Sequence, residues 1–218
     1  MEMLTSRAAY ELWADSYPPV AHNPLMQAEQ AVVMRRLATI RARRALDVGT
    51  GSGRYLPLLK AAGVRTIVGA DLSPAMLRRN TGRYRICADA RHLPLRSKTF
   101  DLVNASLMAG DIPDLAPWIA ELARVLAPGG HLIYSDFHAS WDRRGWQRTF
   151  RANDGREWVL PRNAHDLDEH VAALEHAGLE VIVINNVKLP FAARGLRRLL
   201  PSRALPVAMV FHARKAAR

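Results

Sequence analysis

The stretch Ala45-Leu46-Asp47-Val48-Gly49-Thr50-Gly51-Ser52-Gly53 decides how the rest of the sequence is interpreted. Its first four residues are typical of a buried strand. The alternating glycines that follow favour positive φ and let a ligand approach the backbone closely. A helix that begins after such a loop offers unpaired N–H groups to that ligand. The stretch therefore predicts a nucleotide-type ligand at the end of a strand.

The spacing of these glycines disfavours two phosphate-binding interpretations. The sequence reads G-x-G-x-G, whereas a dinucleotide fingerprint requires G-x-G-x-x-G and a phosphate-binding loop requires G-x-x-x-x-G-K-[ST]. Arg54 stands where the third dinucleotide glycine would be, and no Lys-Ser/Thr pair follows.

Apolar runs bounded by turn residues alternate with helical windows along the chain. Two helices are expected before residue 40, and others near 53–62, 74–80, 115–126 and 166–177. The alternation predicts an α/β fold, a Rossmann-like, doubly wound, seven-stranded and mostly parallel sheet with helices on both faces and an inserted cap after strand five. The last two strands are expected to form a hairpin-like pair at one edge. The predicted strands are 44–48, 65–70, 84–88, 100–106, 131–137, 179–184 and 207–212.

The length of 218 residues suits one domain. We divide it into an N-terminal helical lid (1–40), a ligand-binding core (41–138), an inserted cap (139–165) and a C-terminal helix with strands (166–218). No window is apolar enough for a membrane span, and the N-terminus lacks the apolar run of a signal peptide. With Cys87 as the one cysteine, we expect a soluble, cytoplasmic protein.

Acidic residues follow two further strands, Asp71 after the second and Asp89-Ala90 after the third. Ligands on doubly wound sheets bind beyond the carboxyl ends of the strands, so these positions are expected to face the glycine loop. A carboxylate at Asp71 suits two ribose hydroxyls, and Asp89 beside the N–H of Ala90 suits an adenine edge. A lone aspartate often just caps the next helix. The inference therefore depends on all three strand ends together.

At these positions the sequence resembles the class I S-adenosylmethionine-dependent methyltransferases, in particular a small-molecule branch related to quinone-biosynthesis methyltransferases. The resemblance covers about residues 45–137. It rests on A-L-D-V-G-T-G-S-G, V-G-A-D-L-S-P-A-M-L, C-A-D-A, F-D-L-V-N-A-S-L and L-A-R-V-L-A-P-G-G-H-L-I-Y-S-D. It implies S-adenosylmethionine as the cofactor, which has no phosphates and so agrees with the missing lysine.

The resemblance also implies a place for each residue along the cofactor. Asp71 would hold the ribose, Leu72 and Met76 would flank the adenine, and Asp89 and Ala90 would read its edge. It places Ala105 and Ser106 near the sulfonium. Around the methionine part it places Asp47, Gly49, Thr50 and Gly51, and Gly53 completes the loop.

Tyr10, Trp13 and Tyr17 fall at i, i+3 and i+7 and share one helix face. In one interpretation this helix is a lid, with Tyr10 toward the substrate and Tyr17 near the methionine end of the cofactor. In the other, the three rings only pack the helix onto the domain.

The connection 139–165 is long enough to carry function or structure of its own. Turn residues around Gly155 predict a small hairpin between 149 and 160. We expect a cap over the active site, with Trp146 and Arg148 toward the substrate, where an arginine would orient a carboxylate through a bidentate pair. A solvated surface role is the alternative for any one of these arginines.

His138 and Asp111 are the candidate catalytic residues, because they follow the fifth and fourth predicted strands. Either would take a proton from an acceptor hydroxyl, a contribution of about 10²–10⁴-fold. A carboxylate acceptor would need no base. The structural alternatives are a strand-end hydrogen bond for His138 and a helix cap for Asp111.

The cluster His165, Asp166, Asp168, Glu169 and His170 has the residue types of a metal site. Its two histidines are five residues apart, which does not match the i, i+4 spacing of a helical zinc pair. We therefore expect no metal, and instead the polar first turn of a helix.

The net charge of +11 arises from 31 basic and 20 acidic residues. An arginine-rich, solvated surface is one interpretation, and a face that docks an acidic carrier protein is another. Nucleic acid is disfavoured, because Asn104-Ala105-Ser106-Leu107 departs from the Asn/Asp-Pro-Pro-aromatic motif of similar RNA methyltransferases and no RNA-binding module appears. Between 181 and 218 the basic residues are Lys188, Arg194, Arg197, Arg198, Arg203, Arg214, Lys215 and Arg218, with no acid.

The sequence thus predicts transfer of a methyl group to a small organic acceptor, at a hydroxyl or carboxyl oxygen rather than at carbon or nitrogen. The alternatives are methylation of an acyl group on a carrier protein, RNA methylation, and a cofactor-binding protein that does not methylate. The oligomeric state is not predicted.

Overall fold

A computed structural model describes residues 4–189 and 206–217, which contain a central sheet and a separate hairpin. The hairpin consists of β6 and β7, and the other strands form the sheet. In chain order the strands are β1 (Arg44–Val48), β2 (Thr66–Asp71), β3 (Tyr84–Cys87), β4 (Phe100–Ala105), β5 (Leu126–Phe137), β6 (Arg148–Arg151), β7 (Glu157–Leu160), β8 (Leu179–Lys188) and β9 (Pro206–Lys215).

The central sheet has the order β3-β2-β1-β4-β5-β9-β8. Strands β1 to β5 pair in parallel, and β9 runs antiparallel between β5 and β8. The direction of strand succession switches between β1 and β4, which opens a crevice beyond their carboxyl ends. The predicted doubly wound, mostly parallel sheet is confirmed.

Helices cover both faces of the sheet and bury its apolar side chains. On one face α5 (Leu115–Val125) contributes Trp118, Ile119 and Leu122 to the core. On the other face α2 (Pro24–Leu37) contributes Val33 and α3 (Leu56–Ala61) contributes Leu59. Each such side chain stabilises the fold by about 1.5–3 kcal/mol. The helices are α1 (Ser6–Trp13), α2 (Pro24–Leu37), α3 (Leu56–Ala61), α4 (Pro74–Arg79), α5 (Leu115–Val125) and α6 (Leu167–His176).

Side-chain caps fix where the helices begin. Asn23 Oδ1 accepts a hydrogen bond from the N–H of Met26, and Ser73 Oγ accepts one from Met76. Asp166 and Glu169 form a capping box at the start of α6. The acidic cluster near residue 166 therefore starts a helix, and the described residues hold no group of three metal-ligating side chains.

The connection from α5 into β5 differs from the prediction. The sequence predicts that this strand begins at His131, whereas it begins at Leu126 and includes the Pro-Gly-Gly turn. A register shift between the pairs Phe100↔Leu126 and Leu102↔His131 absorbs these residues as an irregularity in the sheet. The hairpin expected between 149 and 160 is present, with Arg148 opposite Leu160.

Candidate active site

The glycine loop after β1 has the backbone conformation that the sequence predicts. Gly49 and Gly51 have φ of 65° and 51°. A Cβ at Gly49 would lie 2.7 Å from Sδ of Met108, whereas nothing lies within 4 Å of a Cβ at Gly51. The loop is therefore packed at Gly49 and open at Gly51, where a ligand can reach the backbone.

Asp47 anchors this loop from inside the protein. Its Oδ2 accepts a hydrogen bond from Thr50 Oγ1 at 2.7 Å, and its Oδ1 accepts one from Asn104 Nδ2 at 2.8 Å. Burial raises the pKa of Asp47 to about 6, against the opposing effects of these hydrogen bonds and of Arg54. Asp47 lines a small polar cavity of about 40 Å³, where a cationic group would favour its charged form.

Asp71, at the end of β2, is held by two backbone donors. Gly51 N–H donates to Oδ2 at 2.7 Å and Ser73 N–H donates to Oδ1 at 2.8 Å. Burial raises the pKa of Asp71, while the two hydrogen bonds lower it. Each oxygen keeps a lone pair, so the carboxylate can accept from two neighbouring hydroxyls.

Asp71 borders a cavity of about 830 Å³ that most of the predicted site residues share. Asp47 and Thr50 line the small cavity beside it. Gly53, Ala105, His138 and Trp146 are not among the described residues that line either cavity. The predicted residues in the wall of the large cavity are Tyr10, Tyr17, Gly49, Gly51, Asp71, Leu72, Met76, Asp89, Ala90, Ser106, Asp111 and Arg148.

The two cavities together fit a nucleoside that carries an amino-acid tail. Leu72 and Met76 offer apolar contact to a base beside the Asp71 carboxylate. In the small cavity Asp47 and Arg54 present opposite charges, which suits an ammonium and a carboxylate. Ser52 Oγ, also in that wall, is buried and has no hydrogen-bond partner among the described residues. A polar ligand would satisfy it.

The carboxylate of Asp89 already accepts hydrogen bonds from a neighbouring side chain. Arg91 donates to both carboxylate oxygens through Nε and Nη2, and these hydrogen bonds lower the pKa of Asp89. The two side chains are 31% and 43% exposed at the edge of the cavity. An adenine read by Asp89 would therefore share this carboxylate with Arg91.

A buried carboxylate that the sequence analysis missed lies behind the glycine loop. Glu29 of α2 is fully buried and accepts hydrogen bonds from Tyr55 Oη and Ser135 Oγ, each at 2.7 Å. It also pairs with Arg54 Nη1 at 3.3 Å. Ser135 Oγ in turn accepts from the N–H of Leu107, whose φ is 54°. Glu29 thus links α2 to the loops after β1 and β4.

Three predicted site residues from distant parts of the chain form one hydrogen-bonded cluster. Arg148 Nη1 donates to Asp111 Oδ1 at 3.1 Å, and Arg148 Nη2 donates to Tyr10 Oη at 2.6 Å. Tyr10 Oη donates to Asp111 Oδ2 at 3.0 Å. Burial opposes the charge on Arg148, but Asp111 and Tyr10 outweigh it and raise the Arg148 pKa. We call this set the Tyr10–Asp111–Arg148 cluster.

Aromatic side chains from α1 and the cap enclose the same space. Trp13 stacks on Phe150 of β6 at 5.0 Å between ring centroids and meets the edge of Tyr17 at 4.7 Å. Trp141 meets Phe137, and Trp146 packs against Trp141. The expectation that Tyr10, Trp13 and Tyr17 share one helix is wrong for Tyr17, because α1 ends at Trp13 and Tyr17 is in extended backbone after a 3₁₀ turn. All three rings line the cavity and also pack against their neighbours, so the two interpretations of them are compatible.

The histidines are arranged differently from the expectation. His138 Nδ1 lies 2.9 Å from Ser140 Oγ and accepts from the Ser140 N–H, and His138 is absent from the described cavity wall. His22, which the sequence analysis passed over, is the one histidine among the described residues of that wall. In the sequence His22 only precedes the helix start at Asn23-Pro24, so nothing distinguishes it from an ordinary loop residue.

The comparisons with known proteins agree with this geometry. The family described as "Methyltransferase domain" matches residues 46–134. The chain is 28% identical to "Methyltransferase GfsG" of Streptomyces halstedii over 201 residues, which cover 85% of this chain and 70% of that protein. It is 33% identical to a "Malonyl-[acyl-carrier protein] O-methyltransferase" of Halorhodospira halophila over 142 residues, 60% of this chain and 47% of that protein.

The fold likewise matches solved structures. An S-adenosylmethionine-dependent methyltransferase from Mesorhizobium loti superposes with a TM-score of 0.67 at 22% identity, over 86% of this chain and 98% of the other. The chain spans about half the length of several curated relatives that it matches.

The family match places a methyltransferase domain at residues 46–134, which contain the glycine loop, Asp71 and Asp89. The chain resembles the class I S-adenosylmethionine-dependent methyltransferases at these strand ends, and S-adenosylmethionine is the cofactor that this resemblance indicates. Within the described residues no helix is long and apolar enough to cross a membrane.

Proposed function

We propose that this chain transfers the methyl group of S-adenosylmethionine to an oxygen, hydroxyl or carboxyl, of a small organic acceptor. The observation that supports this most is that one cavity joins two different environments. At Gly51 and Asp71 it offers the hydrogen-bonding groups that a nucleoside needs. Beyond Tyr17 and Met108 it becomes an aromatic chamber enclosed by α1 and the β6–β7 hairpin, which suits an organic acceptor.

In this proposal the residues of the two cavities divide the cofactor among them. Asp71 would hold the ribose hydroxyls, and Leu72 and Met76 would flank the adenine. Asp47 and Arg54 would bind the ammonium and the carboxylate of the methionine part. When bound, the cofactor would supply a methyl group on a positively charged sulfur; a C–O bond to the acceptor would form as the C–S bond breaks, and the electron pair of that bond would stay on sulfur.

The protein's contribution is orientation and the exclusion of water. Trp13, Tyr17 and Phe137 would hold the acceptor in line with the methyl group, an effect worth roughly 7–11 kcal/mol in well-oriented reactions. A carboxyl acceptor needs no base. A hydroxyl acceptor must release a proton, and His22 is the one imidazole among the described wall residues.

Methylation of an acyl group on a carrier protein is the second candidate. It is supported by the similarity to a malonyl-[acyl-carrier protein] O-methyltransferase and by the basic residues near the C-terminus. Of these, Arg194, Arg197, Arg198, Arg203 and Arg218 lie outside the described residues.

The test is to incubate the protein with methyl-labelled S-adenosylmethionine and a cell extract separated into small-molecule, protein and nucleic-acid fractions. We expect the wild type to label a small molecule, and we expect much less of that label when Asp71→Ala replaces the wild type at a low cofactor concentration. Label only in a carrier protein would favour the second candidate. Label only in RNA, or retained cofactor with no label transferred, would contradict both.

A further inference from the structure

Arginines in the cavity wall already have carboxylate partners at the depth where an acceptor would bind. Arg148 and Asp111 are paired at 3.1 Å, with side chains 10% and 11% exposed. Arg54 pairs with the fully buried Glu29 through Nη1 alone, and the proposed function assigns its other donors to the carboxylate of the cofactor rather than to the acceptor. At the edge, Arg91 is paired with Asp89, and Arg7 is exposed. An anion that enters the chamber therefore meets paired rather than unpaired buried guanidinium groups among the described residues.

The Tyr10–Asp111–Arg148 cluster is hydrogen-bonded internally as well as neutral overall. Both oxygens of Asp111 are used, Oδ2 by Tyr10 Oη and Oδ1 by Arg148 Nη1, with Ser6 Oγ at 3.4 Å as a further donor. Tyr10 Oη both donates and accepts within the cluster. The guanidinium of Arg148 lies 4.9 Å from the centroid of the Phe137 ring, so part of its surface is covered by an aromatic face.

We propose that Asp111 determines the charge of the acceptor: by neutralising Arg148 it makes the chamber select uncharged hydroxyl compounds over carboxylates of the same shape. The inference rests on the proposed function and narrows its acceptor class. An anion loses its hydration in an aromatic chamber and needs an unpaired, charge-assisted partner to compensate. A hydroxyl is far less costly to bury and needs one neutral partner.

The same geometry gives Asp111 a role other than proton transfer. Three of the four lone pairs of the Asp111 carboxylate accept hydrogen bonds from Ser6, Tyr10 and Arg148, and its charge is paired with Arg148. This arrangement suits a counter-ion better than a group that takes a proton from the acceptor. Arg148, expected to orient a substrate carboxylate, is likewise held by a carboxylate of the protein. The two residues act as a pair that sets the charge of the chamber.

The test compares two probes that share a skeleton, 2-naphthol and 2-naphthoate, by isothermal titration of the protein saturated with S-adenosylhomocysteine at pH 7.5. We expect the wild type to bind 2-naphthol at least tenfold more tightly. In Asp111→Asn the freed guanidinium should strengthen 2-naphthoate binding at least tenfold and leave 2-naphthol within threefold. Equal affinities in the wild type, binding of neither probe, or an unchanged ratio in Asp111→Asn would overturn the proposal.

A second variant guards against a folding defect, because Asp111→Asn leaves Arg148 buried without its counter-ion. Asp111→Asn combined with Arg148→Met removes both charges, and it should keep the wild-type preference for 2-naphthol. A gain in 2-naphthoate binding by this double variant would also overturn the proposal, since no guanidinium remains to cause it. S-adenosylhomocysteine should bind all three proteins alike.

The outcome is separable from that of the proposed function, because ligand binding needs no methyl transfer. One outcome is that the wild type prefers 2-naphthol, Asp111→Asn shifts the preference toward 2-naphthoate, and no extract fraction is labelled. The role of Asp111 would then be supported and the proposed methyl transfer would be contradicted. If the labelled product is a methyl ester and Asp111→Asn changes nothing, the transfer stands and the charge selection fails.

Discussion

Asp71 has two structural consequences: it holds two backbone segments together, and it keeps lone pairs available for a ligand. Its carboxylate accepts the N–H groups of Gly51 and Ser73, so the glycine loop and the start of α4 are fixed relative to β2. The lone pairs that remain on the two oxygens are then held in place before a ligand arrives. Such preorganisation reduces the entropy that binding must overcome.

The first prediction therefore concerns Asp71→Ala. Loss of a charged acceptor for the ribose hydroxyls should weaken S-adenosylhomocysteine binding by about 1.5–3 kcal/mol, roughly 10- to 150-fold. Isothermal titration with S-adenosylhomocysteine and with adenosine measures it, and both ligands should lose affinity because both carry the ribose. Asp89→Ala is the matched control and should lose less, since Asp89 is already paired with Arg91. Unchanged adenosine affinity in Asp71→Ala would place the ribose elsewhere.

At the residue scale, the sequence was informative where function and position in the chain coincide. Asp47, Asp71 and the glycine loop directly follow strands, and parallel strands bring their carboxyl ends together. Glu29 gave no such signal, because a glutamate on a helix is ordinarily a solvated residue. Its burial depends on the packing of α2 beside Tyr55 and Ser135, contacts between positions 26 and 106 residues apart.

At the scale of elements, local signals fixed the helix starts and the hairpin. Asn23 and Ser73 each accept a hydrogen bond from the N–H group three residues further along the chain and so cap their helices. The turn at Gly155 joins two adjacent strands. The start of β5 was mislocated because pairing of Leu126 with Phe100 draws the Pro-Gly-Gly turn into the sheet. That pairing is a contact between strands, which a local turn signal does not contain.

The second prediction concerns the buried ion pair of Glu29 and Arg54, which connects α2 to the glycine loop. Glu29→Met leaves a guanidinium that is 9% exposed without its counter-ion, and the variant should lose about 3–5 kcal/mol of unfolding free energy. Urea denaturation measures the loss. Arg54→Met should behave similarly, since it leaves the carboxylate unpaired.

The double variant Glu29→Met with Arg54→Met tests the reason. It removes both charges and should be more stable than either single variant, because replacing a buried pair is far less costly than breaking it. Tyr55 and Ser135 still lose an acceptor, so recovery should be partial. Additive losses in the double variant would show that the two side chains stabilise the protein independently.

At the scale of the whole molecule, two histidines join the parallel half of the sheet to its antiparallel edge. His131 Nδ1 of β5 lies 2.9 Å from His212 Nε2 of β9, and His212 is only 4% exposed. Burial, His131 and Arg36 of α2 lower the pKa of His212 to about 4. Burial and Arg214 also lower the pKa of His131. The pair is therefore neutral at pH 7 and resists protonation while the protein is folded.

The third prediction is that this pair weakens the fold in acid. An unfolded histidine binds a proton below its usual pKa of about 6.5, whereas His212 in the folded protein does so only near pH 4. Stability from His212 is thus present above about pH 6.5 and is lost as the pH falls toward 4, by about 2–3 kcal/mol. Asp47 acts in the opposite direction, because its raised pKa makes the fold more stable as the pH falls from about 6 toward 4.

Urea denaturation of the wild type and of His212→Leu at several pH values separates the effect of His212 from that of Asp47. Both proteins contain Asp47, so its contribution to the unfolding free energy cancels in the difference between them. The leucine fits the buried side of β9 and removes a ring nitrogen, Nδ1, that has no hydrogen-bond partner among the described residues. The difference in unfolding free energy should be constant above about pH 7 and should move in favour of His212→Leu by about 2–3 kcal/mol at pH 4. A difference that stays constant across this range would mean that His212 titrates alike in the folded and unfolded chain, and that the contact with His131 does not carry the acid sensitivity of the sheet.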